Sequence, residues 1–475
     1  MGSDVGGSNL GASVRARQHG GRFAHMLTLV PSLTLGAGLL LQLSLPRAPG
    51  ARVVDVSPAE RRGNEPSIAI DRRDPSRLVG AYQGPVRAVF STDSGRTFTT
   101  AEGTVPPDWR WAGDPSVAFD DRGNAYLCYL VFDRLGSTSY WRHGAGRNGI
   151  YVRRSPDGGR TWDSIPSPVR VWYKGDEPGM EFEDMPRLVA DQSPASPHRG
   201  SLYVGWIEWQ IDKSVMLFSR STDQGRTWST PVRIGTQAGY PRDDNGGVVG
   251  FHAAVAADGT LHAVWNWGLT IVMATSRDGG RTFTPSRVVQ RVGPPYFGGT
   301  GAVPGLGRVF GFPQVGVHGR RVYLTWSDFR NGDIDVFIAT SADGGRTWGA
   351  PSRVTTDSLH SGRDQFFQFL AVDPVNGDLY VQFYDRRDDP RNRLTAFTLA
   401  RSTDGGRTFT NYAWSEAPFE GRGAFLGDYT WLVAYDGRVY GIWAETAPTP
   451  LPSTTPGAPP AYGTIVKVGT ADFRQ

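Results

Sequence analysis

The chain is poor in the residues that would staple or recharge it. Cys128 is its only cysteine, so no intramolecular disulfide is available, and its setting in the apolar run Tyr126–Val131 suits a small buried hydrophobe. Only Lys174, Lys213 and Lys467 are lysines; the remaining basic residues are arginines, interleaved with acids to a formal net charge of +4. No basic stripe with stacking aromatics emerges, which argues against a nucleic-acid partner. A His-x-x-x-His zinc pair, a phosphate-binding glycine loop and a Gly-x-Ser-x-Gly nucleophile elbow are also missing, so the zinc, nucleotide and serine-hydrolase chemistries they serve have no foothold. The acid-rich loops Asn331–Asp335 and Asp385–Asp389 carry oxygen ligands that suit Ca²⁺, but without EF-hand spacing; no other cofactor is indicated.

What is abundant is turn and aromatic residue: 61 glycines, 34 prolines and 15 tryptophans are spread over 475 residues. That composition suits an all-β protein with many short strands. One segment stands apart. Leu27–Leu45 is 19 residues without a charge, preceded by Arg15, Arg17 and Arg22. A basic flank before an apolar run is the pattern of a secretory signal, with small residues at Ala48 and Ala51 as a weak cleavage site; the same length suits an uncleaved membrane anchor. Both readings place the rest of the chain outside the cytoplasm, secreted or tethered. Residues 1–51 are therefore read as an N-terminal extension, and 52–475 as one domain.

Within that domain an octapeptide recurs six times: STDSGRTF (Ser91–Phe98), SPDGGRTW (Ser155–Trp162), STDQGRTW (Ser221–Trp228), SRDGGRTF (Ser276–Phe283), SADGGRTW (Ser341–Trp348) and STDGGRTF (Ser402–Phe409). The intervals are 64, 66, 55, 65 and 61 residues, a period that signals an array of units burying surface against one another. Three short strand-like runs precede the first copy (Glu65–Asp71, Arg77–Gln83, Val86–Ser91), and a fourth is expected after it. Four antiparallel strands per unit make a propeller blade. A seventh unit without an octapeptide follows (Tyr429–Tyr435, Val439–Glu445, Gly463–Gly469), and Arg52–Ser57 is placed to complete it as the missing fourth strand. The expected fold is a seven-bladed all-β propeller, with a six-bladed ring as the alternative. Ala447–Tyr462, rich in proline, reads as a long loop in the last blade.

The octapeptide has a local physical reading. Its Ser, Asp and Thr oxygens satisfy turn backbone groups, its glycines allow positive φ, and its terminal aromatic buries between sheets. These copies resemble the Asp-box, or BNR repeat, of the sialidase superfamily, and late segments such as YDRRDDPRN (Tyr384–Asn392) and FLGDYTWL (Phe425–Leu432) are similar to bacterial secreted sialidase-like proteins. The resemblance implies that the boxes lie at the propeller's periphery and that their aspartates are structural.

In closed propellers the central channel collects ligands, and it is reached from first-strand starts and second-to-third-strand loops. Those positions hold Glu65, Asp114, Glu183, Asp184, Arg187, His252, Gln314, Gln368 and Asp428, and Asp328, Arg330, Asp385, Arg386 and Glu445. The sialidase resemblance implies a tyrosine nucleophile, a glutamate that activates it, an aspartate acid/base and an arginine clamp on the substrate carboxylate. In this sequence Asp385, Asp428, Tyr429, Glu445 and Asp114 are the candidates for the chemistry, with Tyr384 and Glu420 as alternatives for nucleophile and base. Arg187, Arg330, Arg386, Glu65 and Asp328 are the candidates for substrate binding. Where the family opens its first blade with Arg-Ile-Pro, this chain reads Asn64-Glu65-Pro66, an acid in place of the arginine. The expected function is a glycan-binding propeller that hydrolyses a glycosidic bond; the alternative is a non-catalytic extracellular binding or scaffolding propeller. A glycan or glycoconjugate is the expected partner, and a membrane only through an uncleaved N-terminal segment.

Overall fold

A computed structural model describes residues 45–58, 63–101, 109–133, 147–173, 181–241, 246–293, 303–451 and 461–474. The apolar N-terminal segment lies outside these residues apart from Leu45; among the described residues no helix is long and apolar enough to cross a membrane.

Every described regular element is a strand. They form seven antiparallel sheets, each of four strands in simple up-and-down order, with one short extra strand on the sixth. The ring is therefore seven-bladed. Their first strands are Asn64–Ile70, Trp111–Phe119, Phe182–Ala190, Val248–Val255, Gln314–His318, Gln365–Val372 and Trp431–Tyr435. Each packs on the next, and the last packs back on the first. The seventh blade is completed by the N-terminal strand Arg52–Asp55, which pairs antiparallel with Ala461–Asp472 from Arg52↔Thr470 to Asp55↔Lys467. Pro46–Ala48 continues this contact onto the sixth blade, where Ala413 exchanges backbone hydrogen bonds with Pro46 and Ala48. The proline-rich segment is less of a loop than its composition suggests. Strands Arg438–Leu451 and Ala461–Asp472 pair as far out as Leu451↔Ala461, with a register shift between Thr446 and Pro450 that accommodates the prolines.

The octapeptides all start on the last residue of a third strand and lead to the fourth. In the fourth blade, Asp278 Oδ1 accepts from Ser276 Oγ (2.8 Å), Arg281 N (2.9 Å) and Thr282 N (3.0 Å), and Oδ2 accepts from Thr282 Oγ1 (2.6 Å). The Thr-to-Asp bond recurs in all six copies. These donors hold the Asp93 and Asp278 carboxyls down at about 2, against the desolvation that would raise them. The terminal aromatics pack inward; Phe283 meets Phe218 of the preceding blade edge-on at 4.9 Å.

Upstream of where proline and β-branched residues announce them, four first strands run three or four residues further back through a bulge. The register breaks between Gly113 and Ser116, Asp184 and Arg187, Val249 and His252, and Phe366 and Phe369, and likewise between Asn64 and Ser67 in the first blade. Within each break one residue has positive φ: Glu65 (49°), Asp114 (49°), Met185 (50°), Gly250 (74°) and Phe367 (50°). Such bulges re-aim side chains. After the bulge comes a latch between blades: Ser67 Oγ accepts from Val117 N and Ser116 Oγ from Leu188 N, both at 3.0 Å, and His252 Nδ1 from Val315 N at 3.2 Å.

We expect Asp278→Ala to cost about 2 kcal/mol in urea unfolding, for the loss of one turn's carboxylate bonds. Val54→Pro, which breaks the strand closing the ring, should cost more, about 3 kcal/mol or above. Equal losses would mean that ring closure adds no stability beyond one turn.

Candidate active site

Two of the bulges put acids at one mouth of the channel. The carboxyl of Glu65 in blade 1 lies beside those of Asp114 in blade 2 and Asp428 in blade 7, close enough for both to act on its charge. Blade 1 also fixes the backbone here: Gln83 Oε1 accepts from Asp114 N at 2.9 Å, and a Cβ at Gly113 would run into that oxygen. Gly427, before Asp428, has φ +92° and sits so close to Glu65 that a Cβ would lie 2.6 Å from its backbone nitrogen. Glycine is needed at both positions for the three acids to meet.

Tyr429 follows Asp428 and donates its phenol hydrogen to Asp114 Oδ1 at 3.0 Å. Arg187 occupies the place where blades 1 and 2 have their latch serines. Its guanidinium instead crosses the channel and lies 3.6 Å from the Tyr429 ring centroid and 5.3 Å from that of Trp431. Its Nη1 is buried without a hydrogen-bond partner. Beneath it, His252, Phe369 and Trp431 form an aromatic floor, with Phe369 and Trp431 centroids 4.5 Å apart. Burial and the neighbouring Arg187 push the His252 imidazole down to about 3, so it is neutral. Past this floor the channel opens into a cavity of about 430 Å³ lined by first-strand residues such as Val117, Leu188 and Val315.

A strap borders the mouth. The segment 303–312 leads from blade 4 into blade 5 and bonds to the neighbouring sixth blade and the connection after it: Gly305 O accepts from Gly423 N (2.8 Å) and Pro304 O from Arg386 Nη1 (2.9 Å). It carries Arg308, whose Nε donates to Asp428 Oδ1 at 2.7 Å and whose Nη2 pairs with Oδ2. Arg308 lies in a glycine-rich connection away from any first-strand start, and nothing in its sequence setting marks it.

The electrostatics follow from this packing. Burial raises the Glu65 carboxyl well above its ordinary value, the carboxylates of Asp114 and Asp428 raise it further, and Arg308 opposes them. Burial and the two flanking carboxylates thus favour the protonated form of Glu65. Burial, then Asp114, raises the Tyr429 phenol, while Arg187 works in the other direction. The mouth holds a proton donor, an acceptor with a tyrosine hydroxyl attached, and a cation with a donor to spare.

Of the residues expected at the site, Glu65, Asp114, Arg187, Asp428 and Tyr429 meet there. The others close their own loops. Asp328 accepts from Arg330 Nε (2.8 Å), Trp326 Nε1 (2.9 Å) and Gly293 N (2.9 Å). Asp385 is held by Arg387 Nε (2.5 Å) and Thr398 Oγ1 (2.8 Å). Arg386 is 0% exposed and, besides holding Pro304, donates to Thr395 Oγ1 at 2.9 Å. Glu445 accepts from Trp443 Nε1 at 2.8 Å and lies 3.8 Å from Lys467. Tyr384 is buried with its hydroxyl on the Ala444 carbonyl, and Glu420 pairs with Arg393 and Arg422. The loops read for Ca²⁺ point their carboxylates at protein donors: Asp335 at Arg353, and Asp389 at the backbone of Arg391, Arg393 and Leu394. Among the described residues no group of three His, Cys, Asp or Glu is arranged to hold a metal.

A second acid pair lies apart from this mouth. Glu183 and Glu208 stand opposite each other on adjacent strands of blade 3, bridged by Arg170 at 3.1 and 3.5 Å. Glu183 also accepts from Trp206 Nε1. Burial, with Glu208 beside it, pushes Glu183 up to about 8.

No family model matches the chain, and no curated protein does. Solved structures match its fold. The phage phi92 endosialidase superposes with a TM-score of 0.51 at 11% identity, over 90% of this chain and 69% of that one. The Hadza microbial sialidase Hz136 gives 0.44 at 17% identity over 84% and 73%, and a PL25 ulvan lyase 0.48 at 11% over 86% and 95%. The chain thus shares its propeller fold with the phi92 endosialidase, and at 11% identity the likeness is one of fold.

The raised acids predict a pH dependence of stability. A carboxyl whose folded pKa is raised contributes fully below its unfolded value near 4.5, and that contribution is lost as pH rises toward the folded value, about 8 for Glu183. Thermal midpoints should fall between pH 5 and about 8, and Glu183→Gln should flatten the fall. A Glu183→Gln variant that declines as steeply as the parent would show Glu183 to be ionised throughout.

Proposed function

We propose that the channel mouth is the active site of a glycoside hydrolase acting on a carbohydrate of the cell exterior. The observation that carries this reading is the juxtaposition of the buried Glu65 carboxyl with a hydrogen-bonded Asp114–Tyr429 pair. The parts suit retaining hydrolysis through a tyrosine. As the Tyr429 oxygen attacks the anomeric carbon, Asp114 takes the phenol proton, and Glu65 gives its proton to the departing glycosidic oxygen. Water then cleaves the glycosyl–tyrosine bond; Glu65 takes its proton, and Asp114 returns one to Tyr429. Arg187, with an unengaged donor beside the ring, binds substrate oxygens. Arg308, bonded to Asp428, holds a further carboxylate beside them. The likeness in fold to the phi92 endosialidase supports the reading without selecting a sugar, and the acid at position 65 sets this mouth apart from an arginine clamp.

The test is turnover of a panel of 4-nitrophenyl glycosides, sialosides, uronides and neutral sugars among them. Tyr429→Phe, Asp114→Asn and Glu65→Gln should each lower kcat/KM by about 10²–10⁴-fold, the range expected for removing a positioned acid, base or nucleophile. Because Glu65 acts protonated, kcat/KM should fall as pH rises through its raised pKa, and Glu65→Gln should lack that limb. Turnover that survives all three substitutions, or no turnover on any glycoside, would favour the non-catalytic binding propeller instead.

A further inference from the structure

The first strand of blade 2 carries more than Asp114. Its first residue, Trp111, is 47% exposed, the most open tryptophan among the large exposed side chains. One face of its indole is covered: it stacks on Phe132, directly opposite on the next strand, with centroids 6.4 Å apart and planes 16° from parallel. Phe132 is backed in turn by Phe182 of blade 3 at 5.7 Å. The Arg110 guanidinium lies 5.9 Å from the Trp111 ring. The ring is held by Phe132 behind it and leaves about half of its surface to solvent.

Its position says what that open surface suits. Trp111 and Asp114 are three residues apart on one strand, about 10 Å at strand rise. That separation exceeds one sugar ring and falls within a short oligosaccharide. The flat apolar face of a pyranose or furanose packs on an indole, and its hydroxyls bond a flanking guanidinium such as Arg110.

We propose that Trp111 is a stacking subsite for a polymeric glycan whose chain runs from the acidic mouth across blade 2. This rests on the reading of that mouth as a carbohydrate site, and it makes the substrate a polysaccharide rather than a lone terminal sugar.

The test is affinity electrophoresis of the full chain in native gels containing colominic acid, alginate, arabinan or xylan. The parent should be retarded by at least one polymer. Trp111→Ala should weaken that retardation tenfold or more, and Trp111→Phe should keep most of it; circular dichroism checks that both fold. Retardation by none of the four, or a Trp111→Ala variant retarded like the parent, overturns the proposal. Parent and Tyr429→Phe bound alike, with neither cleaving glycosides, would sink the hydrolytic reading and leave the subsite standing. Cleavage of aryl glycosides by the parent, with Trp111→Ala still retarded in full, would do the reverse.

Discussion

The structure depends on one antiparallel pairing, that of Arg52–Asp55 with the last strand of the chain. It completes the seventh blade and joins the two ends of the ring. The candidate site lies across that seam. Glu65 belongs to the first blade, Asp428 and Tyr429 to the last, and Gly427 is in contact with Glu65. An open ring would leave six complete sheets, a seventh one strand short, and no site, because the acids come within reach of one another only when blade 7 is seated against blade 1.

Two populations of acid perform different work, and the direction in which each titrates distinguishes them. In the octapeptides, serine, threonine and backbone donors surround each carboxylate and hold it well below its ordinary value. These are staples at the outer turns. At the channel mouth desolvation wins, because Glu65 is buried among other carboxylates with one arginine to oppose them. The outer acids are held toward the charged form in the service of the fold, while Glu65 is pushed toward the protonated form that an acid catalyst needs. The strap adds the last element: Arg386 grips its backbone at Pro304, and Arg308 reaches from it to Asp428.

The blade architecture was legible because the octapeptide marks the same turn six times and the four-strand order follows from it. The seventh blade was legible from strand patterning and the unpaired run at Arg52–Ser57. The site was legible in part. Channel-facing positions could be inferred from blade geometry, and four of the residues so marked, Glu65, Asp114, Arg187 and Asp428, converge with Tyr429, which the family resemblance suggested. The sequence could not separate a carboxylate that faces the channel from one that binds an arginine two residues on, as Asp328 binds Arg330 and Asp385 binds Arg387. Nor could it show the bulges, since a positive φ at Glu65 or Asp114 has no signature beyond a proline one residue later. Arg308 acts through a connection with no periodicity to read.

The central claim is that ring closure creates a carboxyl pair in which Glu65 stays protonated beside Asp114. Infrared difference spectroscopy of the parent against Glu65→Gln at neutral pH tests it directly. The account predicts a protonated-carboxyl C=O band in the parent that the variant lacks. A spectrum in which Glu65→Gln removes only carboxylate bands would show Glu65 to be ionised, and would contradict it.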